Sequence, residues 1–156
     1  MSVIFRQAQE SDTARLVELE MMLSDFHHQL DPSYWSKGDL KSASEIIHEE
    51  LKRPLSYWIV AEDQGTIVGF CAGMINDTLS AQFVTRRMGH IMSAYVLPEY
   101  RGKGIVREGV KKIFDYFKSE NVHLVELTVD TKNMEGVLAW ERLGFKEERK
   151  RMRTKI

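Results

Sequence analysis

Between Val96 and Val106 the chain reads Val-Leu-Pro-Glu-Tyr-Arg-Gly-Lys-Gly-Ile-Val, with two glycines set among two cations. Glycine takes positive φ readily and lets an anion approach the backbone, and a helix that starts here leaves its first amides without partners. Arg101 and Lys103 add positive charge. The chemistry of Arg101-Gly102-Lys103-Gly104 is therefore that of a phosphate or pyrophosphate cradle. Two better-known phosphate loops do not apply. Only one residue separates Gly102 from Gly104, against GxxxxGK[ST], and position 107 is Arg, against GxGxxG.

A second group of reactive residues is His27, His28 and Asp31, followed by Tyr34 and Trp35. Adjacent histidines with an aspartate suggest a metal site or a base. Neighbouring side chains on a helix do not share a face, however, and no further His or Cys stands at ligand spacing, so no metal is expected. The only cysteine, Cys71, lies in the apolar run Gly69 to Met74 and reads as a small buried hydrophobe.

These residues need a scaffold, and 156 residues suffice for one domain with one good core. A content of 43% hydrophobic and 29% charged residues is that of a soluble globular chain, with no apolar run long enough to span a membrane. The opening Met-Ser-Val-Ile-Phe-Arg lacks the apolar core of a signal peptide, so a cytoplasmic location is expected. A net charge of −1 gives no general attraction to nucleic acid or anionic lipid. The basic tail from Lys146 to Lys155 is interrupted by Glu147 and Glu148 and reads as the solvated face of a terminal strand.

Val3 to Gln7 reads as a short strand, and Ser11 or Asp12 starts a helix running to about His28 with Leu16, Leu19, Leu23, Phe26 and Leu30 on its stripe. Ser42 and Glu45 form a capping-box pattern for a second helix, with Ile46, Ile47 and Leu51 inward and Pro54 closing it. Tyr57 to Glu62 and Thr66 to Ile75, joined by Asp63-Gln64-Gly65, read as a hairpin; Gly69 and Gly73 within it mark a bulge or a close approach. Asn76 to Arg87 reads as an exposed loop, with a short strand near Gln82 to Val84. Gly89 to Val96 is a strand with Ile91, Ser93 and Tyr95 on one face and His90, Met92, Ala94 and Val96 on the other. It feeds the glycine loop and a helix whose Val106, Val110, Ile113, Phe114 and Phe117 share a face, ending near Asn121. His123 to Val129 is a further strand, and strand, helix, strand in this order implies a right-handed crossover between parallel neighbours. Last come Asn133, a short helix, and Leu143-Gly144-Phe145, where glycine ends the helix and Phe opens a final strand.

Taken together, the glycine loop and the Asn133 to Phe145 segment resemble the two signatures of the GNAT N-acetyltransferase family. Arg101 and Gly104 match its coenzyme A pyrophosphate loop, [Q/R]xxGx[G/A], and Val106 departs where Gly or Ala stands. The resemblance implies an α/β fold with a mostly antiparallel central sheet, one parallel pair and about four flanking helices. It implies acetyl-CoA as acyl donor, held by Val96, Leu97, Arg101, Gly102, Lys103, Gly104, Ile105, Val106, Asn133 and Trp140. The acceptor, a primary amine of a small molecule or a protein, would attack the acetyl carbonyl directly, with the oxyanion held by a backbone N–H near Val96 or Leu97. His27, His28, Asp31, Tyr34 and Trp35 would border the acceptor. A base is useful because alkylammonium groups titrate near pH 10; His90, then Tyr95, Glu62, His27 or His28, are the candidates. Trp140 stands where many members carry a Tyr that protonates the leaving thiolate, and an indole N–H is no acid, so Trp140 is expected to pack against the acyl-CoA. Gly136 stands where Ala is usual. A catalytically silent acyl-CoA-binding module is the alternative on the same fold, and a homodimer is a reasonable expectation.

Overall fold

The computed structural model describes residues 2–78, 82, 84–154 and 156. Strands β1 (Ile4–Gln7), β2 (Ser56–Asp63), β3 (Thr66–Asp77), β4 (Arg87–Val96) and β5 (Val125–Leu127) lie side by side in chain order. The first four are antiparallel, and β5 runs parallel to β4. Among the described residues there are four α-helices, α1 (Thr13–Leu30), α2 (Leu40–Lys52), α3 (Ile105–Ser119) and α4 (Met134–Arg142). This is the mixed sheet with one parallel pair that the order of elements implies.

The sheet is covered on both faces, which is why β2 and β3 read as continuous apolar runs. Trp58, Val60, Phe70 and Ala72 join Leu16, Val17, Leu19 and Ile47 of α1 and α2. Their neighbours Ile59 and Cys71 join Val110, Ile113 and Phe117 of α3 on the opposite face. The β2–β3 hairpin turns at Gln64 and Gly65, with φ of 50° and 78°, a two-residue turn whose twist matches the strands. Helix α3 lies close on β3 at Gly109, where a Cβ would fall 2.8 Å from Cys71 Sγ.

One irregularity governs the geometry of β4. Ala72 pairs with Ser93 and Gly73 with Ile91, so Met92 is an extra residue in β4. A bulge of this kind breaks the two-residue alternation. Ile91 consequently belongs to the α3 face and Tyr95 to the α1 face. The expected sharing of one face by Ile91, Ser93 and Tyr95 is corrected on this ground. Gly73, opposite the bulge, leaves room for Ile113 and Phe117: a Cβ there would meet them at 2.8 and 2.9 Å.

Other boundaries differ from expectation for local reasons. Helix α1 passes through both histidines to Leu30 and stops at Asp31, just before Pro32. Asp12 does not cap it through its side chain, because that carboxylate is held by Arg6 at 2.7 and 3.0 Å. The α2 cap is Asp39, which accepts from Ser42 N at 2.8 Å and Ser42 Oγ at 2.6 Å, so Ser42 is the capped residue and not the cap. Ile46 faces solvent while Ile47 is buried. Strands β3 and β4 extend into the polar interval as far as Asp77 and Arg87, joined by an ion pair of 2.7 Å. The strand expected near Gln82 to Val84 includes Phe83, which lies outside the described residues. Strand β5 is shorter than His123 to Val129, and no strand follows Phe145 among the described residues. Asn121, at φ 59°, does close α3 as expected.

Candidate active site

Strands β4 and β5 are paired only at Gly89–Val125, His90–Glu126 and Ile91–Leu127. Beyond these β5 ends, while β4 runs five residues further to Val96. The β4 edge facing β5 is thus open from Met92 onward. Its phase is fixed at the strand end, where Leu97 N donates to Val68 O of β3 at 3.0 Å. Backbone groups alternate sides along a strand, so those of Val96 and Ala94 point to the open edge. Of the two backbone amides expected as oxyanion donors, that of Leu97 is committed to β3.

At the head of this opening lies the glycine loop. Gly102 and Gly104 have φ of 73° and 79°, and a Cβ at Gly102 would meet nothing within 4 Å. Gly104 is the N-cap of α3 and no side chain caps the helix. The first intrahelical bond from this point is Glu108 N to Gly104 O, which leaves the amides of Ile105, Val106 and Arg107 without helical acceptors. The two cations fold back on their own loop. Arg101 Nε donates to Val96 O at 3.1 Å with its guanidinium over the Tyr95 ring, and Lys103 Nζ donates to Glu99 O at 2.7 Å over Tyr100. Arg107 adds a third positive charge that the motif did not include; its guanidinium lies 3.3 Å from where a Gly104 Cβ would be.

The far wall of the opening joins the end of α1 to the segment after β5. Asp31, almost fully buried, bonds Lys132 Nζ at 2.8 Å and accepts from Ser33 Oγ at 2.6 Å, and these donors hold its carboxyl down at about 2. Trp35 Nε1 donates to Asp130 at 3.3 Å. His27 stacks on Trp35 at 4.8 Å, and Tyr34 meets the same ring edge-on. Burial lowers the His27 pKa, opposed by the charge of Asp130. His28 Nδ1 is engaged with Trp35 O at 2.7 Å. The five residues expected at the acceptor border thus form one cluster, anchored to Asp130 and Lys132, which sequence spacing does not reveal.

The candidate bases are scattered. His90 sits where β4 and β5 are still paired, its Nδ1 3.8 Å from Glu126. Tyr95 is buried against α1 beneath Arg101. Glu62 is bound to Arg6 at 2.9 Å on β2. Sequence reading missed Glu20. It lies on the sheet-facing side of α1, one carboxylate oxygen is sealed from solvent without a hydrogen-bond partner among the described residues, and burial pushes its pKa up to about 7. Its signal was available in part, since position 20 shares the helical face of Leu16 and Leu23. Among the described residues, no three His, Cys, Asp or Glu side chains gather where a metal ion would be held.

Residues 20–145 match the family model described as the acetyltransferase (GNAT) family. An uncharacterized N-acetyltransferase of Archaeoglobus fulgidus is 33% identical over 103 residues, covering 66% of this chain and 67% of that protein. The chain belongs to the GNAT acetyltransferase family. A second relative, an uncharacterized N-acetyltransferase of Methanocaldococcus jannaschii, is 32% identical over 63% of this chain, which spans only 42% of that protein's length. Solved structures superpose on nearly the full length of the chain. A tetramutant of the BH1408 protein from Bacillus halodurans superposes with a TM-score of 0.90 at 20% identity, covering 98% of this chain and 99% of its own. A predicted acetyltransferase from Clostridium acetobutylicum, crystallised with acetyl-CoA, gives 0.77 at 20% identity over 99% and 96%.

Within this GNAT chain the residues that match the family signature and those that depart from it have definite surroundings. Val106 packs its side chain into the apolar clusters beneath α3. Asn133 is the N-cap of α4, its Oδ1 accepting from Gly136 N at 2.9 Å. Trp140 is half-buried, edge-on to Phe145 at 5.7 Å, and its indole N–H has no hydrogen bond among the described residues.

Proposed function

We propose that this protein transfers an acetyl group from acetyl-CoA to a primary amine of a small molecule or protein, by direct attack and without a covalent enzyme intermediate. The observation that carries this reading is the divergence of β4 from β5 with a left-handed glycine loop at its head. The free amides of Ile105, Val106 and Arg107 suit a pyrophosphate, with Gly102 leaving its approach open. The backbone edge at Ala94 and Val96 suits the amide groups of a pantetheine, which would add there as a peptide strand does. Proteins of the same fold whose structures hold acetyl-CoA or coenzyme A support the donor.

The chain's own residues then have distinct roles. The Val96 N–H is placed at the open edge as an oxyanion donor, where a preorganised dipole stabilises the tetrahedral intermediate. Arg101 fixes the end of β4 by bonding Val96 O, which keeps that edge in register with the loop. Trp140 supplies an apolar flank. A thiol of pKa about 8.5 leaves tolerably as thiolate, so the missing Tyr does not block the reaction. His27, Tyr34 and Trp35 form the acceptor border, and an aromatic wall with a neutral imidazole suits an amine in its uncharged form.

Thiol release from acetyl-CoA, followed with n-butylamine, spermidine, neamine and a lysine-containing peptide, tests the reading. Release above the buffer rate with one of them supports it. Tight acetyl-CoA binding with no release across the panel would favour the silent acyl-CoA-binding module.

A further inference from the structure

Leu16, Glu20, Leu23 and His27 are spaced four, three and four along α1, so they share one helical face. That face is the one laid on the sheet, since Leu16, Val17 and Leu19 pack in one cluster with Tyr95, Met92 and Leu97. The two ends of this segment are fixed on opposite sides of β4. Arg15 Nε donates to Ile67 O of β3 at 3.0 Å, while Trp35 and Asp31 bond Asp130 and Lys132 beyond β5. Helix α1 therefore crosses β4, which it contacts, and Glu20 lies between the two anchors, over the region where β4 has lost β5.

A carboxylate at this place is costly. Its Oε2 is sealed from solvent and receives no hydrogen bond among the described residues, whereas the residue as a whole is only partly buried. Apolar side chains would fill the same face without the penalty of an unpaired polar atom. Burial raises the Glu20 pKa, and among the described residues no hydrogen bond to Oε2 offsets it. A buried acid without a partner among the described residues, on the helix face that crosses the open-edged strand, is suited to a cationic guest.

We propose that Glu20 is the carboxylate that receives the ammonium group of the acceptor and takes its proton; this rests on the acetyl-transfer reading above. The step balances as follows. Glu20 accepts one proton from R–NH3+, leaving R–NH2, whose nitrogen lone pair forms the new C–N bond at the thioester carbonyl. The C–S bond breaks with its electron pair on sulfur, and the second nitrogen proton passes to the thiolate. Glu20 then returns its proton to solvent, so the sum is acetamide, thiol and one proton. The charge of a guest cation also offsets the desolvation of the Glu20 carboxylate.

The test uses n-butylammonium chloride titrated at pH 8 onto protein saturated with coenzyme A, observed by NMR, for the native chain and Glu20→Gln. Native protein is expected to bind it at least tenfold more tightly than Glu20→Gln, with Glu20→Asp between them. Acetyl-CoA affinity should stay within twofold across the three, and Glu20→Gln should melt no lower than the native chain. With whichever amine gives thiol release, kcat/KM should fall at least a hundredfold in Glu20→Gln, the scale of a lost base. Equal n-butylammonium binding by native and Glu20→Gln, or none by the native complex, overturns the role of Glu20 alone. Failure of acetyl-CoA itself to bind overturns the acetyl-transfer reading and this role with it.

Discussion

At Gly136 the absence of a side chain is used. A Cβ there would collide with Asn133 Nδ2 and lie 2.7 Å from its Cγ, displacing the cap of α4. Alanine gains about 1 kcal/mol of helix propensity over glycine, and a lost Asn cap costs about 1 kcal/mol. With the clash added, Gly136→Ala is expected to lower stability by about 0.5 kcal/mol or more in urea unfolding; a gain near the full propensity value would show that the Asn133 cap contributes nothing. Glu20 gives a second residue-scale expectation. Its pKa rises on folding from 4.5 to about 7, so its contribution is most favourable below 4.5 and is lost as pH climbs through 7. The loss corresponds to about 3 kcal/mol at alkaline pH. Glu20→Gln should therefore outgain the native chain increasingly between pH 5 and 8, and a pH-independent difference would show that the native carboxyl is not shifted. The sequence makes the glycine loop legible because its chemistry is local: two glycines, two cations and a helix start. It hides Glu20 because Glu18 and Glu20 look alike in Val-Glu-Leu-Glu-Met, and only the helical phase seats one in solvent and the other on the sheet.

Among the elements, β4 is the most informative. Met92 is an inserted residue, so deleting it would leave Arg87 to Ile91 on their present faces and partners and remove only the bend that the bulge gives β4. The Met92 deletion is expected to unfold cooperatively, with a native-like near-UV circular dichroism spectrum, but to bind acetyl-CoA at least tenfold more weakly because the open edge of β4 is re-aimed; unchanged acetyl-CoA binding would show that the bulge is dispensable. The bridge from α1 to the segment after β5 is testable through Asp31. Lys132 and Ser33 hold its carboxyl down at about 2, so its stabilising effect exists above the ordinary 3.8 and fades as pH falls toward 2. Asp31→Asn at neutral pH should speed amide exchange in residues 31–35 and 130–133 while leaving β2 and β3 unchanged. Unaltered exchange would mean that this bridge is held by other contacts. The hairpin and α3 were legible from turn residues and apolar spacing. A bulge is not, because an inserted methionine looks like any strand residue, and the true α2 cap was missed because Asp39 and Ser42 are both good caps.

For the whole molecule, the opening between β4 and β5 follows from topology. A parallel strand reached by the α3 crossover pairs at three positions and then stops, leaving one edge of β4 unpaired beside a helix start. That arrangement was readable from the order strand, glycine loop, helix, strand. The cluster proposed as the acceptor border was readable only as separate residues, since Leu30 to Asp39 has no periodicity and its anchors Asp130 and Lys132 lie far away in sequence. No helix is long and apolar enough to cross a membrane among the described residues. The central claim is that the α3 start and the β4 edge bind acetyl-CoA, and isothermal titration of the native chain and Gly104→Glu tests it most directly. Gly104, at φ 79° and at the helix N-terminus, would carry a strained residue and a carboxylate where the pyrophosphate belongs. Micromolar binding by the native protein, weakened at least a hundredfold in a Gly104→Glu variant with unchanged circular dichroism, is the expected result. No binding by the native chain at millimolar acetyl-CoA, or equal binding by both, would contradict it.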